Sequence, residues 1–198
     1  MTSYKDSAGD TQTYEYDANN NLLHYSDSKW NDQIWEYNAA GKMTHTKSSN
    51  GYEKWWEYDA NNNLIHTKNN NGAEEWMDYN EQNLVIHSKN SNGKEVWYEY
   101  DADGNMTHFK DSDGHEEIKQ YTNKRLTYSK NSEGYEYWYD YDDNGNLIHF
   151  KDSDIEERWY DYDSSNRVIH YKNSNGYEEW HEYDANGKLT HYKGTAIS

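Results

Sequence analysis

Tyr52-Glu53-Lys54-Trp55-Trp56-Glu57-Tyr58, Asp59-Ala60-Asn61-Asn62, Leu64-Ile65-His66-Thr67-Lys68 and Asn69-Asn70-Asn71-Gly72 follow one another as a unit whose pattern fills the chain. The first segment sets aromatic and charged residues in near-alternation, which reads as a half-buried strand. The second is a turn: Asp caps it, and Asn or Gly takes the positive φ of a bulged hairpin. Its counterparts are Asp142-Asp143-Asn144-Gly145 and Asp184-Ala185-Asn186-Gly187. The third segment reads as a second strand, and the fourth as the turn that starts the next unit.

Tyr16, Tyr37, Tyr58, Tyr79, Tyr100, Tyr121, Tyr141, Tyr162 and Tyr183 recur 21 residues apart with a single 20-residue step, so the unit is copied about nine times. We expect an all-β fold: about nine 21-residue β-hairpin repeats forming an elongated, twisted or coiled antiparallel sheet, with strands of roughly eight and six residues. One repeat domain spans residues 1–198, with repeats over about 14–193, a worn half-repeat before them and a short tail from Gly194. Because 21 is odd and side chains alternate faces along a strand, we expect the two turns to differ in parity.

That reading sorts the columns onto two faces. One carries the tyrosines, the aromatics two residues earlier, the apolar column Leu22, Met43, Leu64, Val85, Met106, Leu126, Leu147, Val168 and Leu189, and the histidines His24, His45, His66, His87, His108, His149, His170 and His191. The other carries Trp55, Trp76, Trp97, Trp138, Trp159 and Trp180, with Glu57, Asp78, Glu99, Asp140, Asp161 and Glu182 beside them. We expect the tyrosine face to be the core and the tryptophan–acid residues to be the binding surface. The acids are expected to pair across strands with the lysine column. The sixth unit departs from the pattern: Ile118, Lys119 and Gln120 replace Trp, aromatic and acid, Tyr128 replaces His, and a turn residue is missing before Leu126.

Leu, Ile, Val and Phe supply only 20 of 198 residues and the net charge is −18, a composition typical of disorder. The 22 Tyr and 9 Trp overturn that reading, because each ring in register buries roughly 150–250 Å². A thick core is not expected. Cys is absent, which excludes disulfides and thiolate metal sites, and the absence of Pro suits unbroken strands. No apolar h-region opens the sequence, so we expect a cytoplasmic location, or the cell surface if the chain is a fragment. The acidity argues against nucleic acid and membrane partners and favours a basic protein.

Tyr139-Asp140-Tyr141-Asp142-Asp143-Asn144-Gly145-Asn146-Leu147 resembles the YD repeat of the Rhs family, Tyr-x-Tyr-Asp-x-x-Gly-Arg/Asn-Leu. Met77, Lys119 and His181 stand where some units lose the first tyrosine, and the resemblance covers residues 14–193. It implies a coiling antiparallel β-ribbon, the architecture with which large family members wall off a toxin. Trp97-Tyr98-Glu99-Tyr100 with Gly104-Asn105-Met106 is similar to choline- and glucan-binding repeats, without their Gly-Trp. MORN-type hairpin repeats are similar more loosely.

No catalytic constellation stands apart from the repeat columns, so we expect no enzyme, no cofactor and no metal. Asp-x-Asn-Gly turns lack the terminal bidentate Glu and the helices of a calcium loop. Histidines two strands apart, roughly 9–10 Å, lie too far from one another for one ion, which needs ligands at about 2.0–2.1 Å. The reading is a non-catalytic binding protein, most concretely a cytosolic immunity or antitoxin-type inhibitor that shows an acidic, Trp-lined face to a basic partner. The alternatives are a glycan- or choline-binding module and a structural spacer of an Rhs-type shell. The imidazoles are expected to charge together near pH ~6. Unfolding midpoints at pH ~5.5 and ~7.5 are therefore expected to differ, and coincident midpoints refute the idea.

Overall fold

In the computed structural model, which describes residues 2–5 and 9–195, the chain is all-β and divides into two compact units, residues 1–97 and 98–198. Part of the worn half-repeat (Met1 and residues 6–8) and the end of the tail (196–198) lie outside the described residues. The first unit holds β1 (Thr2–Lys5), β2 (Thr11–Tyr16), β3 (Leu22–Asp27), β4 (Asp32–Tyr37), β5 (Met43–Ser48), β6 (Glu53–Tyr58), β7 (Leu64–Asn69), β8 (Glu74–Tyr79), β9 (Val85–Asn90) and the start of β10 (Glu95–Tyr100). The second holds β11 (Met106–Asp111), β12 (Glu116–Thr122), β13 (Arg125–Asn131), β14 (Glu136–Tyr141), β15 (Leu147–Asp152), β16 (Glu157–Tyr162), β17 (Val168–Asn173), β18 (Glu178–Tyr183) and β19 (Leu189–Gly194). Within each unit every strand pairs antiparallel with the next, a meander of hairpins. Among the described residues no helix is long and apolar enough to cross a membrane.

Most strands have six residues, so the expected eight-residue strand is shortened, its first residues being spent on the turn. Gly194, read as the start of the tail, ends β19.

The two turns of a unit are alike, which corrects the expected difference in parity. Asp59 Oδ1 accepts the N–H groups of Asn61 and Asn63 at 2.9 and 2.8 Å, and Asn69 Oδ1 accepts those of Asn71 and Ala73 at 2.9 and 3.1 Å. Each turn closes through a left-handed residue, Asn62 at φ 64° and Gly72 at φ 85°. Such three-residue loops tolerate one residue of positive φ.

The odd residue of the period sits instead in the strand. Tyr58 pairs with Leu64 but Glu57 pairs with His66, leaving Ile65 as a β-bulge. The same shift occurs at Glu15/Tyr16, Glu36/Tyr37, Asp78/Tyr79, Gln120/Tyr121, Asp140/Tyr141, Asp161/Tyr162 and Glu182/Tyr183. A bulge sets two residues against one and reverses the facing of whatever follows.

The sixth unit keeps this register. Thr122 pairs with Arg125 across a two-residue turn whose Asn123 and Lys124 both have positive φ, 51° and 63°. That is the requirement of a type I′ hairpin. A residue is lost, the turn type changes, and Tyr121 still faces Leu126.

Among the described residues no hydrophobic side chain is fully buried; Thr46, Thr67 and Ser129 are the buried ones. The tyrosine face nonetheless takes its phenols partly out of water: partial burial pushes Tyr58, Tyr79, Tyr100 and Tyr141 up. The Tyr79 hydroxyl donates to the Leu64 carbonyl at 2.8 Å, as Tyr162 does to Leu147 at 2.9 Å and Tyr183 to Val168 at 3.0 Å. Each bond ties a unit to the one before it.

Trp30 occupies the position that Gly51, Gly72 and Gly93 hold in later units, at φ 69° and 89 % exposed. A left-handed L-residue costs about 1–2 kcal/mol, and so exposed a ring recovers little of it. Trp30→Gly is therefore expected to raise stability by about 1 kcal/mol in urea unfolding. Gly72→Ala, whose added methyl meets nothing within 4 Å, is expected to lower it by a similar amount through backbone conformation alone.

Candidate functional site

Because the bulge lies between the apolar column and the histidines, the histidines leave the tyrosine face. Register pairs His66 with Glu57 on one side and with Trp76 on the other, and pairs Lys68 with Trp55 and Glu74. Directly paired residues share a face. The expected placement of the histidine column beside the tyrosines is thereby corrected: histidines, lysines, tryptophans and acids form one surface.

The contacts on that surface repeat. His45 stacks on Trp55, His66 on Trp76 and His87 on Trp97, with centroids 5.2–5.3 Å apart and planes within 10–17°. In the second unit His149 stacks on Trp159 and His170 on Trp180 at 5.3 and 5.1 Å. Tyr128 takes the histidine's place against Trp138, tilted by 49° at 5.7 Å. Lys172 and Lys193 lie over Trp159 and Trp180 at 5.5 and 5.6 Å from the opposite neighbouring strand. Trp159 and Trp180 thus have both ring faces occupied from within the protein. Trp76, Trp97 and Trp180 are still more than a third exposed.

His45, His66 and His87 each lie between two carboxylates. His66 Nδ1 is 3.4 Å from Glu57 and its Nε2 3.2 Å from Glu74; for His87 the distances are 3.1 Å to Asp78 and 3.3 Å to Glu95. Glu99 approaches His108 at 3.6 Å, Asp140 approaches His149 at 3.0 Å, and Asp161 approaches His170 at 2.9 Å. Glu182 pairs in register with His191. The predicted acids therefore partner histidine rather than lysine. Lysine pairs with a different column: Lys47–Glu53 at 2.7 Å, Lys68–Glu74 at 3.1 Å, Lys89–Glu95 at 2.8 Å and Lys151–Glu157 at 3.0 Å. Sequence reasoning left both the histidines and this second glutamate column out of the site. The consecutive pairs Leu64-Ile65, Val85-Ile86, Leu147-Ile148 and Val168-Ile169, which break strand alternation, were the signal of the bulge that moves them.

Glu57, Asp78, Glu99, Asp140 and Asp161 keep 65–73 % of their side-chain surface exposed, so each unit presents one solvated acid. In the first unit Glu36, His45, Trp55, Glu57, His66 and Lys68 line an open groove of about 630 Å³. Among the described residues no group of three or more His, Asp or Glu is placed to hold a metal ion. The arrangement supplies charge, hydrogen bonds and aromatic edges.

No protein-family model and no curated protein matches the chain. Solved structures do. The chain is similar to a component of the Photorhabdus luminescens Tc holotoxin pore, with a TM-score of 0.59 and 14 % identity over 96 % of this chain and 14 % of that one. It is similar to a TcdB2–TccC3 assembly without its hypervariable C-terminal region (TM-score 0.58, 15 % identity, 96 % and 14 % of the two chains), and to a TcdB2–TccC3-TEV assembly (0.56, 15 %, 96 % and 14 %). The chain spans 14 % of the length of these matched chains. The likeness shows the fold, which is consistent with a Rhs-like YD-repeat hairpin sheet.

The carboxylates give the face a pH limit. The Lys47, Lys68 and Lys89 ammonium groups hold Glu53, Glu74 and Glu95 below the usual carboxylate range, and the side-chain amides of Asn21, Asn105 and Asn146 do the same for the turn residues Asp17, Asp101 and Asp142. Folded values below the unfolded ones mean stability that is present above pH ~4 and lost as pH falls through the folded values. The thermal midpoint is expected to fall between pH ~5 and ~3. Replacing Asp17, Asp101 and Asp142 by Asn preserves the turn, since Asn38 and Asn80 already serve there. That variant is expected to lose less stability than the parent over the same acid interval.

Proposed function

We propose that the chain is a structural repeat module, a segment of wall of the kind that Rhs-type shells are built from. The observation that carries the reading is the likeness to Tc toxin components over 96 % of the chain. The recurrent bulge and the tyrosine bonds from unit to unit support it, since they spend the distinctive residues on continuity of the sheet. The paired tryptophans support it too. A sugar or quaternary ammonium needs an open aromatic face; histidine covers one face of Trp76, and His170 and Lys193 cover both faces of Trp180.

A second reading, an inhibitor that masks a basic partner, draws on the solvated acid column and the net charge of −18. Steering by such a column accelerates encounter with a cationic surface. The two readings part in a pull-down of tagged protein from its native lysate at low and high salt. Under the wall reading no stoichiometric basic protein is expected. One basic protein that is partly released by salt, and whose capture is lost in a Trp97→Ala, Trp138→Ala variant that still folds, overturns the wall reading in favour of the inhibitor.

A further inference from the structure

Trp55 is held differently from Trp159 and Trp180. His45 stacks on one of its faces at 5.2 Å, and on its other side Lys68 of β7 pairs with it in register. The equivalent Lys172 and Lys193 lie over Trp159 and Trp180, whereas Lys68 reaches to Glu74 at 3.1 Å. Among the described residues no cation lies over Trp55. The ring lines the open groove of about 630 Å³, together with His66 and Lys68 from β7 and with Glu36 and Glu57. Register fixes their places: Glu57 follows Trp55 by two residues on the same face, about 7 Å along β6, and Glu36 lies two strands across with His45 between. Each acid meets its histidine through Oε1, at 3.3 Å for Glu36 and 3.4 Å for Glu57, and keeps 64 and 65 % of its side chain exposed. Thr44 gives the groove room. It lines the groove at the bulge position of β5, which the larger Ile65 and Ile86 hold in β7 and β9.

We propose that this groove is a binding site for the guanidinium of an arginine side chain presented by a basic polypeptide. A guanidinium is planar, so it stacks on an aromatic face while its N–H fork donates to a carboxylate. Trp55 offers the face, and Glu57 and Glu36 offer the oxygens. A compact ammonium satisfies the charge without the stacking. Lys68 lines the groove too, with its charge matched by Glu74.

The openness of the groove decides between sources of the guanidinium. A site for a free small molecule buries roughly 70–90 % of its ligand, whereas here both acids stand largely in solvent. That suits a side chain reaching in from a larger body, and the net charge of −18 steers a basic chain toward it. The wall reading concerns continuity of the sheet, and the site does not rest on it. The inhibitor reading is tested through Trp97 and Trp138, outside this groove, so the two can fail separately.

The test titrates the intact, isotope-labelled chain with the blocked peptide acetyl-Gly-Arg-Gly-amide and follows nuclear magnetic resonance shifts, the Trp55 indole N–H being assigned with Trp55→Phe. Saturable shifts of that indole and of the amides of Thr44 and Glu57 are expected, and a peptide with neutral citrulline for arginine is expected to give none. Glu57→Gln, at an exposed position, is expected to weaken binding about tenfold by removing a charge-assisted pair. Thr44→Ile installs the residue already used at positions 65 and 86, so the thermal midpoint is expected to hold while the filled groove loses the peptide. Free arginine brings a carboxylate that the acidic groove repels, and it is expected to bind about threefold more weakly. Equal binding of free arginine overturns the assignment to a polypeptide, and equal binding of the lysine peptide overturns the assignment to a guanidinium. No saturable shift, shifts spread alike over Glu57 and Asp78, or shifts that survive Thr44→Ile in a folded protein overturn the site itself.

Discussion

The rest of the structure depends on one residue of bulge per hairpin. With two equivalent three-residue turns, an unbulged unit keeps every column on its face with an even period. Ile65 and its counterparts make the period 21 and still return Trp55 and Trp76 to the same side. The bulge also divides each second strand into two functional halves. Before it, Leu64 belongs with Tyr58; after it, His66 and Lys68 belong with Glu57, Trp76 and Glu74. A strict alternation would have set His66 among the tyrosines and left Trp76 without its stacking partner. One backbone irregularity therefore creates two surfaces of different chemistry from a chain with few aliphatic residues.

Stability in such a sheet comes from many partial burials rather than from a core. On the tyrosine face, aromatic pairs such as Tyr98–Phe109 and Tyr160–Tyr171 meet at 5.7 and 5.2 Å, and Thr46 and Thr67 sit buried opposite Trp35 and Trp56. On the other face the His–Trp stacks do similar work, each aromatic pair being worth about 0.5–1.5 kcal/mol beyond its area. Lysine pairing adds little per pair at such exposed positions, but recurs from unit to unit. Nearest-neighbour stabilisation of this sort lets a unit deviate without losing the fold. The sixth unit does so: Ile118 replaces tryptophan and a type I′ turn replaces the longer loop, while the register survives.

The hairpin repeat was legible because its signals are local. Asp59 with Asn62, and Asn69 with Gly72, announce turns through side-chain caps and positive φ, and the spacing of tyrosines counts the units. The facing of the histidines was not legible by alternation, since alternation presumes an unbroken ladder and the bulge breaks it between Leu64 and His66. The pairing of turn to turn was misread for the same reason: an odd period was assigned to the loops when a strand residue carried it. Strand length was overestimated because Tyr52 is aromatic and looks like strand, although its amide is bound by the Asn50 side chain within the turn. The predicted tryptophans and acids do share a face in each unit, but what makes that face coherent, the histidine between them, becomes visible only in three dimensions.

The acid column has a consequence for the sheet as a material. A sheet with aromatic rings on both faces invites stacking against another sheet, and unpaired edges invite further strands. Histidine stacks on one face of Trp55, Trp76, Trp97, Trp159 and Trp180, and Glu57 and Asp78 stand outward beside them, two strands or roughly 10 Å apart. That spacing is comparable with the screening length of about 8 Å at physiological ionic strength, so neighbouring acids repel an approaching like-charged face collectively while straining one another little. Face-to-face association is thereby opposed.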